Sequence, residues 1–102
     1  MKNIQITDHA VKRWKERFVK LTPYTTLEDE YARTVKVPSR VLVRHHIAPK
    51  PGYKYHISNN CVFVTARIGE HSVLIVTVFS SRLATWNRVF QTMSRRIAQC
   101  NG

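Results

Sequence analysis

The sequence predicts an α+β fold: N-terminal helices packed on one face of an antiparallel three- to four-stranded meander, followed by a C-terminal basic helix. Three observations predict it. Apolar residues near the start recur at helical spacing. Three central runs rich in Val, Ile, Phe, Tyr and Thr are separated by pairs of turn-forming residues. A long stripe near the end repeats in alternating steps of three and four. The 102 residues are enough for one domain with a real core, and no shift in composition marks a boundary, so residues 1–102 read as a single basic domain.

Taken in order, Asn3 to Thr7 alternate, with Ile4 and Ile6 apolar, and suit an edge strand or a simple lead-in. Thr7-Asp8 offers an N-cap, and a helix is expected to run to about Lys20. Ala10, Val11, Trp14 and Phe18 form its apolar stripe. Leu21-Thr22-Pro23 should break it, because proline disfavours helical geometry at the residue before it. Thr25 or Thr26 caps a second helix whose first turn holds Glu28, Asp29 and Glu30, charges that suit the positive end of the helix dipole. That helix is expected to end by Val37, with Leu27, Tyr31, Thr34 and Val35 as its packing residues. Val41 to Val43 looks like the start of a strand. Residues 45–52 then read as a basic loop stiffened by Pro49 and Pro51.

The central strands are expected at Tyr53–Ser58, Cys61–Ile68 and Ser72–Phe79. Asn59-Asn60 suits a two-residue type I′ turn and Gly69-Glu70 a type II′ turn. Ser58 then faces Cys61, and Ile68 faces His71. The last helix should start near Ser80 or Ser81 and end near Gln99, with Leu83, Trp86, Phe90, Met93 and Ile97 on its stripe. Arg82, Arg88, Arg95 and Arg96 surround that stripe.

Charge narrows the function. Seventeen Lys and Arg oppose six Asp and Glu, a formal net charge of +11. Such a surface attracts phosphate by Coulomb steering and counterion release. Nucleic acid is the first partner this implies, an acidic protein the second and an anionic membrane surface the third. No apolar run approaches the roughly 20 residues of a membrane span, and the first residues lack the apolar stretch of a signal peptide. Cys61 and Cys100 form no disulfide framework and no metal spacing. A reduced, cytoplasmic protein without membrane attachment is expected. Adjacent His45 and His46 point apart on an extended chain and have no suitably spaced third ligand, so no metal is expected. With only Gly52, Gly69 and Gly102 there is no glycine-rich phosphate loop, and no cofactor is expected.

The inferred turns sort the sheet by face. Tyr53, Tyr55, Ile57, Val62, Val64, Ala66, Ile68, Val73, Ile75, Thr77 and Phe79 would form the core face. The opposite face would carry Lys54, His56, Ser58, Cys61, Phe63, Thr65, Arg67 and Ser72, with Leu74, Val76 and Val78. Near one end of it Lys54, His56, Thr65 and Arg67 become cross-strand neighbours, with Phe63 beside His56. An imidazole, two fixed cations, a hydroxyl and an aromatic ring suit metal-independent RNA cleavage. A base takes the 2′-hydroxyl proton, an acid protonates the leaving oxygen, and cations stabilise the phosphoryl charge. An aromatic ring can stack a base. The same residues also suit an ordinary solvated sheet face. On the first helix, His9, Arg13 and Arg17 lie at successive four-residue steps, with Glu16 on the same side. They read as a phosphate-holding stripe or as a solvated face.

Residues 7–17, ThrAspHisAlaValLysArgTrpLysGluArg, resemble the opening of a group of small toxin-like domains. In these a first helix begins with His-Ala, has an Arg four residues after the His, and often a later Glu-Arg pair. Here those are His9-Ala10, Arg13 and Glu16-Arg17. A closing Thr-Val-aromatic strand is matched by Ile75-Val76-Thr77-Val78-Phe79. The group is similar to the barnase–EndoU–colicin–RelE superfamily of metal-independent ribonucleases, including the BrnT-type toxins. The resemblance spans the order of elements over residues 1–79. It implies helices on one side of an antiparallel sheet, RNA cleavage on the other face, and functional roles for His9 and Arg13. It also implies an acidic inhibitor or antitoxin protein, or a ribosome-restricted substrate. No complete catalytic set carries over, no carboxylate stands on the sheet to act as base, and Thr77 falls on the expected core face.

The leading expectation is therefore a small basic endoribonuclease. His9 and His56 would share acid and base roles, and Lys54 and Arg67 would stabilise the transition state. Arg13, Arg17 and Thr65 would hold substrate, with Phe63 or Tyr55 stacking a base. The runner-up is a non-catalytic basic module that binds nucleic acid or an acidic protein surface and acts by occupancy. A third expectation is an assembly protein that dimerises through the Trp86–Ile97 stripe of the C-terminal helix.

Overall fold

A computed structural model describes residues 3–18 and 26–101, with side chains as far as Arg95. The elements follow in the order β1 (Asn3–Ile6), α1 (Asp8–Arg17), α2 (Leu27–Ala32), β2 (Val35–Lys36), α3 (Ser39–Arg44), β3 (Tyr53–Ile57), β4 (Cys61–Arg67), β5 (Ser72–Ser80) and α4 (Ala84–Asn101). The α+β class stands, but the sheet has five strands in the order β1-β5-β4-β3-β2. β1 runs parallel to β5 and the other pairs are antiparallel, so the sheet is mixed.

Helices cover both faces rather than one. Ala10, Trp14 and Phe18 of α1 and Leu27 of α2 pack against Cys61, Phe63, Ile75 and Val78. Val41 and Leu42 of α3, with Val89 and Met93 of α4, pack against Tyr55, Ile57 and Val62 on the reverse face. Two-sided burial is why Cys61, Val62 and Phe63 are consecutive and all fully buried.

Thr7 caps α1, its hydroxyl accepting from the Ala10 amide at 3.1 Å and donating to the Val76 carbonyl at 2.8 Å. Thr26 caps α2 through the Asp29 amide. This helix stops at Ala32 instead of reaching Val37. Thr34 donates to the Tyr31 carbonyl, and Val35 and Lys36 turn extended to pair with Ile57 and His56. The stretch expected as a strand at Val41–Val43 lies in α3. Its end forms a Schellman motif: Ile47 N–H reaches the Leu42 carbonyl, His46 N–H reaches that of Val43, and His46 takes φ 62°. α1 ends at Arg17 with Phe18 as its C-cap, short of the Lys20 expected. The break at Leu21–Pro23 and the Thr25 cap lie outside the described residues. So do the side chains of Arg96, Ile97 and Cys100.

The β3–β4 register is as expected, from Tyr53 opposite Ala66 to Ile57 opposite Val62. Ser58 does face Cys61, its amide bonding the Cys61 carbonyl at 2.8 Å. The turn between them is not type I′, because neither Asn59 nor Asn60 takes positive φ. The β4–β5 register departs. Ile68 N–H bonds the Ser72 carbonyl, making a three-residue loop of Gly69–His71, and a bulge at Val76 adds a second shift. Val73 and Ile75 therefore share the face of Arg67 and Thr65, while Leu74 joins Ala66 on the reverse face. Among the described residues no helix is long and apolar enough to cross a membrane.

Candidate functional site

The face under α1 and α2 is closed at one end and open at the other. Trp14 lies 6.4 Å from Phe63, between ring centroids, and fills the closed end. Tyr31 of α2 marks the boundary. Its ring meets Phe63 edge-on at 5.6 Å and His56 at 5.2 Å. Burial raises the Tyr31 phenol above its ordinary pKa. Beyond Tyr31 the sheet opens into a cleft of about 330 Å³.

Strand alternation brings the cleft residues together. Lys54 and His56 project from β3 to the same face, Thr65 stands opposite Lys54, and Lys36 of β2 stands opposite His56. Arg67 follows Thr65 on that face, and its Nε–H donates to the Gly69 carbonyl at 3.0 Å, which holds the guanidinium against the turn. The turn completes the rim with Glu70, His71 and Ser72. Thr65 is almost wholly buried and forms the floor. The cleft thus holds two imidazoles, three fixed cations and one carboxylate.

Lys54, His56, Thr65 and Arg67 stand together as the strand pattern indicates. Other candidates lie elsewhere. His9 is exposed on α1, and no α1 residue lines the cleft. Arg13 pairs with Glu16 at 3.5 Å, and Arg17 is exposed on the same helix. Phe63 is fully buried between Trp14 and Tyr31, so its ring offers no face for a base. Tyr55 points to the reverse face and packs 5.2 Å from Trp86.

Sequence reasoning missed Tyr31, Lys36, Glu70 and His71 as cleft residues, while Ser72, expected on this face, lines the rim. Tyr31 reads as core because its ring covers Phe63. Lys36 was hidden by the assumed continuation of α2. His71 was carried by a visible signal: it lies in the turn joining the strand of Thr65 and Arg67 to its neighbour. Among the described residues no group of three His, Cys, Asp or Glu side chains is placed to hold a metal ion. His45 is engaged structurally, its Nε2 lying 2.9 Å from the Thr92 hydroxyl on α4. Comparison with protein-family models, with curated proteins and with solved structures found no match.

Proposed function

We propose that this protein is a metal-independent endoribonuclease whose active site is the cleft between Tyr31 and the β4–β5 turn. One observation carries the reading: His56 and His71 line the same 330 Å³ cleft with Lys36, Lys54 and Arg67. One imidazole takes the proton from the ribose 2′-hydroxyl. That oxygen bonds to the adjacent phosphorus as the bond to the 5′-oxygen breaks, and the other imidazole, protonated, gives its proton to that leaving oxygen. The products are a 2′,3′-cyclic phosphate and a free 5′-hydroxyl. Lys54 and Arg67 offset the charge that grows on the phosphoryl oxygens, and Lys36 draws in a flanking phosphate. His71 takes the partner role expected of His9, because α1 contributes nothing to the cleft lining. Glu70, next to His71, supplies the carboxylate that can orient an imidazole. A freely active enzyme of this kind would harm its host, so an acidic inhibitor protein remains part of the proposal.

The test is a single-turnover assay on mixed RNA. His56→Ala and His71→Ala should each lower the cleavage rate about 100-fold or more, the size of a lost acid or base. Each should keep RNA affinity within a few-fold, because the fixed cations remain. Full activity in both variants would contradict the proposal. Tight RNA binding by a wild-type protein that never cleaves would favour the occupancy reading instead.

A further inference from the structure

The reverse face of the sheet carries an aromatic cavity that the cleft does not use. It measures about 460 Å³, within the range of roughly 300–1,000 Å³ typical of small-molecule sites. Tyr53, Tyr55, Phe79 and Trp86 supply its walls, and Lys50 stands at its rim. Trp86 packs against Tyr55 and Phe79 with centroids 5.2 and 5.3 Å away, which fixes one wall. Tyr53 is 41% exposed, which leaves its ring open to a second planar group.

A trough of about 310 Å³ shares lining residues with both this cavity and the cleft. Lys36 and Lys54 line both the cleft and the trough. Lys50, Tyr53 and Tyr55 line both the trough and the cavity. The link is built by a type II turn at Lys50–Tyr53. Pro51 occupies its second position, Gly52 its third with φ 82°, and the Tyr53 amide reaches the Lys50 carbonyl at 3.1 Å. The turn sets Lys50 and Tyr53 side by side at the edge of the sheet.

We infer that the aromatic cavity is a second nucleotide subsite, holding a base of single-stranded RNA while Lys36, Lys54 and Lys50 track its phosphates from the cleft over the sheet edge. This rests on the ribonuclease reading of the cleft and names its substrate as single-stranded RNA several nucleotides long. Two properties select that ligand. A base stacks on aromatic rings without regard to its sequence, and lysines spaced along a path match a phosphate backbone. An apolar segment of protein would match the rings but not the lysines between the two sites.

The experiment compares two probes that cannot be cut: a 2′-O-methyl RNA dinucleotide and a 2′-O-methyl oligonucleotide of about ten residues. The longer probe should bind at least tenfold more tightly and quench Trp86 fluorescence. Tyr53→Ala should remove about tenfold of the longer probe's affinity, and Tyr53→Phe should restore it, because stacking needs the ring and not the hydroxyl. Lys50→Ala should weaken the longer probe and flatten its salt dependence. Wild-type cleavage of an unmodified dinucleotide, measured in parallel, reports on the cleft alone. Equal affinity of the two probes, or no effect of Tyr53→Ala, would overturn the subsite, and continued dinucleotide cleavage would show that the cleft reading survives. Failure of both probes to bind, with no cleavage, would sink the two together. A concentration-dependent dimer dissolved by Tyr53→Ala would overturn the subsite by assigning this face to a second copy of the chain.

Discussion

Ser58 shows how one hydroxyl fixes the end of two strands. Its Oγ donates to Glu30 Oε1 at 2.8 Å and accepts from the Asn60 and Cys61 amides at 3.3 and 3.1 Å. These bonds shape the turn, and they supply a partner to a carboxylate that is 3% exposed. Ser58→Ala should lower unfolding stability by about 1–3 kcal/mol, read from urea denaturation, because it strips a donor from a buried charge. Cys61 beside it is held protonated. Burial first, and the Glu30 charge second, push its thiol up to about 12 from 9.0. Between those values the unfolded chain has lost this proton and the folded chain keeps it, so stability falls as pH rises through that window. Burial acts on Tyr31 in the same direction. Urea unfolding at pH about 8 and about 10 should show a shallower decline for Cys61→Ala than for the wild type.

At the scale of elements, local pattern was readable where it was also tertiary pattern. The helix of Ala10, Trp14 and Phe18 and the β3–β4 ladder follow directly from spacing. Ser39–Arg44 does not. Its valines favour extended backbone, but Val41 and Leu42 are needed together beneath α4, and tertiary packing overrides propensity. The bulge at Val76 was invisible for another reason. It is stabilised by the Thr7 hydroxyl, 69 residues away in sequence. Two-sided burial did leave a trace in the unbroken apolar runs of β4 and β5, which an alternating, one-sided sheet would not have. The Lys54, His56, Thr65 and Arg67 part of the cleft was legible because it lies on one ladder. The rest comes from α2, β2, the start of β5 and a turn whose length decides where His71 stands. The α3 end offers a direct check. His46 sits at φ 62°, where glycine is the usual residue. His46→Gly should therefore raise stability by up to about 1 kcal/mol in thermal or urea unfolding.

For the whole molecule, charge and architecture point the same way. A net charge of +11 draws in polyanions at long range, and the open end of one sheet face gathers Lys36, Lys54 and Arg67 around two imidazoles. The closed end, filled by Trp14, Phe18 and Phe63, anchors the sheet that carries them. The proposed acid–base chemistry would use the open cationic cleft, with the packed end of the same sheet face as its support. The most direct measurement is end-group analysis of one labelled RNA oligonucleotide after incubation with the purified wild-type protein and excess metal chelator. Products ending in 2′,3′-cyclic phosphate, with 5′-hydroxyl partners and no cleavage of the matching DNA, are what the proposed chemistry predicts. Intact RNA, or products ending in 5′-phosphate, would contradict it.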